Sequence, residues 1–328
     1  MKNIEPGNGV NPPLFPDIKP SDSVSERRKK VLNQFAPKIR EKTPYDSSEF
    51  EYFSPIGEHA RKILVNGMVS LSGNEGYELF RTSEDLEYIS DNEATHKALD
   101  RMYEGPLSEN PNDLIWSRLF IENTHNSMAV RNRLRIVKEE FTSHMENALL
   151  RQEGPLQVLS VAAGSSRAIM ESLKSLNGTI DDRIALKMVD SSDEALTDGQ
   201  QLVGKLGIDK YVNFTKANFL PTTKYMDDKY QPEFVEVVGL FDYLADAHIV
   251  RFLRELKSHM VDGGAVLYSN IAPNDEQDFT HNVVGWRQME YRTSGDLARL
   301  ATDAGFGLSN VRVLQEPLGV YNLAVATK

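Results

Sequence analysis

Residues 156–170 constrain the fold of this 328-residue chain more than any other stretch. They begin as a short apolar run with the β-branched residues Val158 and Val161, pass through the small residues 162–166, and continue with apolar residues at helical spacing. This pattern predicts a strand, a tight turn and a helix. In a parallel α/β sheet, the first such turn is where a nucleotide-like cofactor approaches the backbone, because small residues give it room and the helix N-terminus offers unpaired N–H groups.

The chain after this turn alternates between strands and helices. Further strands are predicted at residues 183–190, 211–219, 234–240 and 264–271. Asp190 ends the second strand about 24 residues after the turn, close to the spacing at which an acid in a Rossmann-type unit binds ribose hydroxyls. The alternative for Asp190 is a structural role as a cap of the helix behind it.

The chain is predicted to end in two strands, at residues 309–315 and 321–328. Residues 316–320 alone join them, which is too short for the crossover that parallel neighbours need, so the two strands must be antiparallel. The helix before them begins at a predicted capping box of Thr293 and Asp296. Because nicotinamide-binding Rossmann sheets end in a parallel strand, this hairpin favours a different α/β sheet.

The N-terminal half of the sequence is predicted to be helical. Residues 1–22 are rich in proline and predict a flexible arm, and residues 23–110 show no strand-period alternation. A long helix is predicted to lead into the first strand, since apolar residues recur every three to four positions from Val130 to Leu149.

Three arginines, Arg131, Arg133 and Arg135, lie on the other faces of this long helix. One interpretation is a solvated polar face. The other is that the helix covers the cofactor pocket, where a guanidinium group meets a carboxylate of the cofactor or the substrate. The sequence leaves both interpretations open.

Composition excludes several kinds of site. The chain has no cysteine, so disulfides, thiolate zinc sites and a thiol nucleophile are excluded, and no metal-ligand spacing is found. A net charge of −11 disfavours a nucleic-acid surface, which needs a basic face. No apolar run reaches the roughly 20 residues of a membrane span, and residues 1–20 lack a signal-peptide core. The expected compartment is the cytoplasm, without membrane insertion.

Four motifs occur in a characteristic order: the small-residue turn at 162–166, Met188-Val189-Asp190, residues 239–244 (Gly-Leu-Phe-Asp-Tyr-Leu) and residues 261–264 (Val-Asp-Gly-Gly). This series resembles the class I S-adenosylmethionine-dependent methyltransferases. The resemblance implies an α/β fold with a Rossmann-like seven-stranded sheet and a C-terminal antiparallel β-hairpin, preceded by an α-helical N-terminal segment.

A narrower resemblance covers roughly residues 110–328. The Leu-Phe-Asp-Tyr-Leu string, Ser269-Asn270, and Trp286 with residues 291–293 are similar to the family assigned to biosynthesis of the extracellular factor 3-hydroxypalmitic acid methyl ester. The first hundred residues lie outside this resemblance. We expect the chain to divide into a flexible arm at 1–22, a helical lid and acceptor-binding region at 23–122, and a methyltransferase domain at 123–328.

The glycine-rich turn departs from the usual pattern of this superfamily. The turn usually reads Gly-x-Gly-x-Gly, and here Ala162 and Ser166 replace the first and last glycine. The acid often found two residues before the first glycine is Ser160 in this chain. Ala162 is a small change and Ser166 can still cap the helix, so cofactor binding remains the expectation.

The residues and the resemblance together predict a site. The cofactor S-adenosyl-L-methionine is expected to contact residues on the turn, after three strands and on the long helix: Ala162, Ala163, Gly164, Ser165, Ser166, Asp190, Ser191, Asn218, Phe219, Leu240, Phe241, Asp242, Tyr243 and Arg133. The acceptor is expected to contact Asn270, Trp286, Arg292 and Arg135. If the acceptor is a hydroxyl, a general base is needed, and the candidates are His248, Tyr291 and His125.

The leading hypothesis is methyl transfer from S-adenosylmethionine to a carboxylate or hydroxyl oxygen of a small-molecule or lipid-like acceptor. Two alternatives belong to other classes of function. One is a non-catalytic protein of the same fold that binds a partner through its N-terminal helices. The other is a nicotinamide-dependent oxidoreductase, which the missing Gly-x-Gly-x-x-Gly and the terminal hairpin disfavour.

Overall fold

The computed structural model describes residues 18–19, 21–35, 50–52, 55–71, 73–176, 183–227 and 229–328. The proline-rich arm predicted over residues 1–22 lies mostly outside these described residues. Every helix among them is too short or too polar to cross a lipid bilayer.

A seven-stranded mixed sheet forms the centre of the described chain, in the order β3-β2-β1-β4-β5-β7-β6. Strands β1 to β5 are parallel, and β7 runs antiparallel to both β5 and β6. The predicted fold class, including the terminal hairpin, is confirmed. The strands are β1 Leu156–Val161, β2 Ile184–Asp190, β3 Val212–Lys216, β4 Phe234–Val237, β5 Ala265–Ile271, β6 Val311–Gln315 and β7 Tyr321–Thr327.

Helices precede the sheet and cover both of its faces. The helices before the sheet are α1 Val24–Phe35, α2 Pro55–Val69, α3 Glu75–Phe80, α4 Glu84–Asp91, α5 His96–Glu104, α6 Pro111–Ile121 and α7 His125–Arg151. The helices between and after the first strands are α8 Arg167–Leu176, α9 Asp193–Leu206, α10 Asp246–His259, α11 Gln277–Phe279 and α12 Ser294–Asp303. The capping box predicted for α12 is present, with the Thr293 side chain accepting from the Asp296 N–H.

The strands feed two hydrophobic cores because successive side chains point to opposite faces of the sheet. On β1, Val158 packs into the core shared with α7, α8 and the N-terminal helices, while Leu159 packs into the core under α10 and α12. The first of these cores extends from the sheet into α2, α4 and α6. The predicted regions 23–122 and 123–328 therefore share one continuous core.

Helix α7 carries much of this shared core. Thr124 caps its N-terminus by accepting from the Ser127 N–H, and Phe141 meets Phe234 of β4 edge to face with centroids 5.4 Å apart. The N-terminal helices cover the opposite side of α7, so Arg131 and Arg133 are each only 1% exposed. The interpretation of these arginines as a solvated face is wrong, because the helix is covered all round at this level.

Candidate functional site

The turn between β1 and α8 has an unusual backbone. Ala162, Gly164 and Ser166 all adopt positive φ angles, of 50°, 50° and 43°. This conformation costs an L-residue energy but suits glycine, which explains why the usual pattern has glycine at all three positions. Ala162 and Ser166 thus adopt the backbone conformation of the glycine turn although neither residue is glycine.

We expect Ala162→Gly to raise the free energy of unfolding by up to about 1 kcal/mol, because glycine adopts the left-handed backbone without strain. The substitution removes only a methyl group, so little packing is lost. Ala163→Gly is the matched control, since Ala163 has no positive φ. That control should lower stability by about 0.4–1 kcal/mol through the greater freedom of the unfolded chain. Urea denaturation of both variants measures the difference, and an equal loss in the two would contradict the strain.

Asp190 lies directly against this turn. Its Oδ2 accepts from the Gly164 N–H at 3.0 Å and its Oδ1 accepts from the Ser192 N–H at 2.9 Å. The strand-end acid and the turn, which are 26 positions apart in the sequence, are thus joined in one wall. The Asp190 carboxylate oxygens each retain a lone pair for a further donor.

A cavity of about 330 Å³ opens at the carboxyl edge of β1, β2 and β4. It brings together most of the predicted cofactor residues and one predicted acceptor residue. Those in its wall are Ala162, Ala163, Gly164, Ser165, Ser166, Asp190, Ser191, Leu240, Asp242, Tyr243, Arg133 and Trp286.

Arg133 reaches this cavity from α7 with hydrogen-bonding capacity to spare. Its guanidinium lies 4.3 Å from the centroid of the Tyr321 ring, and its buried Nε and Nη2 have no hydrogen-bond partner. Leaving buried donors unsatisfied is costly, and a guanidinium edge matches a carboxylate in a bidentate arrangement. The cavity wall therefore suits a ligand with a carboxylate group.

Two buried acids lie in the same cavity wall. Burial raises the pKa of Glu236 to about 7, against the opposing effects of the Ser160 hydrogen bond and of Arg133. Burial likewise raises the pKa of Asp242 to about 6, although Arg133 and the Ile271 N–H favour its ionised form. The carboxyl groups of Glu236 and Asp242 are therefore expected to change between their protonated and ionised forms near pH 6 to 7.

Helix α5 closes the cavity over the turn. Gly164 packs so tightly against α5 that a Cβ placed on it would lie 2.7 Å from the His96 Cβ. Ser165 donates to Asp100 at 3.0 Å, Arg167 pairs with Glu104 at 2.8 Å, and His96 Nε2 lies 2.8 Å from Asp198 of α9. The N-terminal helices thus form part of this site.

The neighbours of Arg133 on α7 have different partners. Arg131 forms two hydrogen bonds with Glu51, at 2.7 and 2.8 Å, and donates to the carbonyls of Met102 and Ile121. Arg135 lies 3.4 Å from the Glu51 carboxylate and 3.1 Å from Asn132. These two arginines hold the N-terminal segment against α7, and Arg135 does not line the cavity.

Several other predicted residues lie outside this cavity wall. Phe241 is fully buried in the core under α10, and Phe219 packs edge to face on Phe252, while Asn218 is exposed beyond β3. Arg292 donates to the Phe241 and Leu244 carbonyls and to Asn270. Arg292 and Asn270 thus bind each other and the backbone after β4, and neither lines the cavity.

The three predicted general bases also lie elsewhere. His248 is exposed on α10, and burial raises the pKa of the half-buried Tyr291 to about 12, which disfavours its action as a base near neutral pH. His125 Nε2 lies 2.8 Å from Glu58 and its Nδ1 lies 3.4 Å from Asp275. Arg61 bridges the same two acids at 2.7 Å each, so this cluster is an ion-pair network.

The sequence analysis missed several residues of the cavity wall, notably His96, Tyr103, Glu236, Met289 and Tyr321. Glu236 had a signal, because it is a charged residue within the otherwise apolar strand Phe-Val-Glu-Val. The others had none, since they reach the cavity from α5, from the loop over residues 285–293 and from the last strand.

Comparison with protein families gives one family. The model of the family described as "Putative methyltransferase" matches residues 85–328, from α4 to the end of the chain. A comparison with curated proteins gives no match.

Several solved structures share the fold. A possible exported protein from Bordetella parapertussis has a TM-score of 0.58 and 17% identity, covering 95% of this chain and 99% of that one. The S-adenosylmethionine-dependent methyltransferase SibL has a TM-score of 0.51 and 13% identity, covering 93% of this chain and 85% of SibL. Magnesium protoporphyrin IX methyltransferase from Synechocystis PCC 6803, with bound SAH, has a TM-score of 0.50 and 11% identity, covering 75% of this chain and 100% of that one.

At these identities the likeness to solved structures is one of fold, and it agrees with the strand order of the sheet. The family match includes α5, the turn, Asp190, Glu236 and Tyr321, and so all the parts of the cavity wall described above. The chain belongs to this methyltransferase family.

Proposed function

We propose that this chain binds S-adenosyl-L-methionine in the 330 Å³ cavity and transfers its methyl group to an oxygen of a small-molecule or lipid-like acceptor. The observation that carries the proposal is the joining of Asp190 and the Gly164 turn to the unsatisfied edge of Arg133 in one cavity. Asp190 suits the ribose hydroxyls, and Arg133 suits the carboxylate at the other end of the cofactor.

The bound cofactor would supply an electrophilic methyl group on a sulfonium sulfur. The work left to the protein is positioning and the exclusion of water. Asp190 and Arg133 would hold the two ends of the ligand, and α5 would cover it through His96. Trp286 closes another part of the wall and donates its indole N–H to the Ile89 carbonyl at 3.1 Å.

A second, smaller cavity supports an acceptor with an apolar part. It has a volume of about 40 Å³ and shares Trp286, Met289 and Tyr321 with the larger cavity. The remainder of its wall is mostly apolar, with Phe80 and Phe120 from the N-terminal helices. We therefore place the reacting oxygen at the shared wall and the apolar part of the acceptor in the smaller cavity.

The proposal favours a carboxylate as the methylated oxygen. A carboxylate needs no general base, whereas a hydroxyl does. Among the described residues, His96 is the one histidine in the cavity wall, and its Nε2 is held by Asp198. The two buried acids of the wall also have partners, since Glu236 accepts from the Ser160 hydroxyl and Asp242 from the Ile271 N–H. The narrower sequence resemblance, to a family that makes a fatty-acid methyl ester, supports the same choice.

Calorimetry with S-adenosylhomocysteine tests cofactor binding, and we expect one molecule bound per chain. Folded protein that binds none at millimolar ligand would overturn the proposal. Methyl transfer is then measured from labelled S-adenosylmethionine to aliphatic carboxylic acids of increasing length and to the matched alcohols. We expect transfer to acids with an apolar chain. Turnover of the alcohols alone would replace the carboxylate with a hydroxyl acceptor.

A further inference from the structure

The acid that the usual methyltransferase pattern has near the end of β1 has a counterpart on the neighbouring strand. Ser160 occupies the usual position, and Glu236 of β4 is its direct partner in the strand register. The Ser160 hydroxyl donates to Glu236 Oε2 at 2.5 Å, and the Ser166 hydroxyl donates to Ser160 at 3.0 Å. A polar chain thus connects the turn to a carboxylate on β4.

Glu236 lies where a ligand can reach it. Its side chain points to the same face of the sheet as that of Ser160, and the residue lines the cavity although it is only 7% exposed. A carboxylate so well buried is expensive to keep ionised without a cationic partner. Within the fold, Arg133 attracts it electrostatically.

Arg133 is better matched to a ligand anion than to Glu236, since its buried Nε and Nη2 make no hydrogen bond to the protein. The cavity wall therefore holds one cationic group with unused donors beside one carboxylate. A ligand that carries both a carboxylate and an ammonium group complements this pair. The amino-acid end of S-adenosylmethionine is such a zwitterion.

We infer that Glu236 replaces, from β4, the acid missing from β1, and binds the ammonium group of the cofactor while Arg133 binds its carboxylate. This inference rests on the proposed function. If it is correct, replacing Glu236 should lower the affinity for ligands that carry the amino-acid end and leave the affinity for ligands without it unchanged.

The test uses two probes and two variants. S-adenosylhomocysteine carries both charged groups, and 5′-methylthioadenosine keeps the nucleoside but has neither. For Glu236→Gln, we expect calorimetry to show S-adenosylhomocysteine bound about 10- to 100-fold more weakly, because the charged hydrogen bond is lost. The affinity for 5′-methylthioadenosine should stay within about twofold of the wild-type value.

Glu233→Gln is the matched control. Glu233 is a buried glutamate just before β4, at the opposite end of the strand, where it pairs with His144 and Arg151 outside the cavity. This control should leave the affinities for both probes unchanged. A Glu236→Gln variant that binds both probes as well as the wild type, or loses both equally, would overturn the inference.

A pH series on the wild type keeps the inference testable if Glu236→Gln does not fold. Glu236 shares the cavity wall with two arginines, a histidine, three acids and three tyrosines: Arg133, Arg167, His96, Asp190, Glu194, Asp242, Tyr103, Tyr243 and Tyr321. Because burial raises the pKa of Glu236 to about 7, the carboxyl becomes protonated as the pH falls below that value. The affinity for S-adenosylhomocysteine should therefore fall between pH 8 and pH 6.

Over the same range, the affinity for 5′-methylthioadenosine should stay constant, and parallel pH profiles of the two probes would overturn the inference. The outcomes separate the two proposals. A wild type that binds neither probe removes the proposed function itself. A wild type that binds both, together with an unaffected Glu236→Gln variant, removes the role of Glu236 alone.

Discussion

Arg133→Met is expected to weaken S-adenosylhomocysteine binding by roughly 100-fold or more, because it removes one partner of a buried, charge-assisted interaction. The same change should cost little stability. It removes a buried charge whose Nε and Nη2 are unsatisfied, and this gain offsets the loss of its contacts with Tyr103 and Tyr321. Glu236 and Asp242 lose a nearby cation but can take up protons, since burial already raises the pKa of these acids to about 7 and about 6.

Arg135→Met is the matched control for this prediction. Arg135 lies two positions away on α7 and contacts Glu51 and Asn132. Its removal should lower stability by about 1 kcal/mol, the usual value of a hydrogen bond, and leave the affinity for S-adenosylhomocysteine within about twofold. Calorimetry and urea denaturation measure both quantities. An equal loss of affinity in the two variants would contradict the assignment of the carboxylate site to Arg133.

Gly164→Ala is expected to lower the free energy of unfolding by about 2–4 kcal/mol, from overpacking and from the left-handed backbone. The new Cβ would lie 2.7 Å from the His96 Cβ, at a φ of +50°. Because α5 must then move off the turn, affinity for S-adenosylhomocysteine should fall in parallel. Thermal melting and calorimetry on the same preparation measure the two effects.

Two further variants separate the causes within this prediction. Gly207 also has a positive φ, of +68°, but a Cβ there would meet nothing within 4 Å, so Gly207→Ala reports the backbone strain alone. Combining His96→Gly with Gly164→Ala removes the clashing Cβ, and a coupling energy of about 1 kcal/mol or more is expected in the double-mutant cycle. Additive effects would mean that α5 does not press on the turn.

The fold was predictable because its signals are local. The strand-turn-helix of residues 156–176, the capping box of Thr293 and Asp296 and the short link before β7 all lie within a few residues of the structure they specify. Strand β3 ends earlier than predicted, at Lys216, because Ala217 and Phe219 pack against the core under α10 and not within the sheet.

The candidate site was predictable only in part. Turn residues and strand-end acids such as Asp190 follow from topology, because parallel strands end at the same edge of a sheet. The burial of Arg131 could not be foreseen, since its partner Glu51 is 80 positions away. The same holds for His96, which reaches Gly164 from another helix. Long-range contacts of this kind leave no periodicity to detect.

The hydrophobic core runs from the sheet into α2, α4 and α6, so the stability of region 123–328 depends on that of region 23–122. A polypeptide starting at residue 123 would keep every strand and the edge of the sheet at which the cavity opens. It would also expose Val130 of α7 to water, because this side chain lies beside Phe80 and Phe120 of the N-terminal helices. We therefore expect residues 123–328 to fold poorly without the helical segment, and exchanging that segment between relatives would require the facing side of α7 to be exchanged with it.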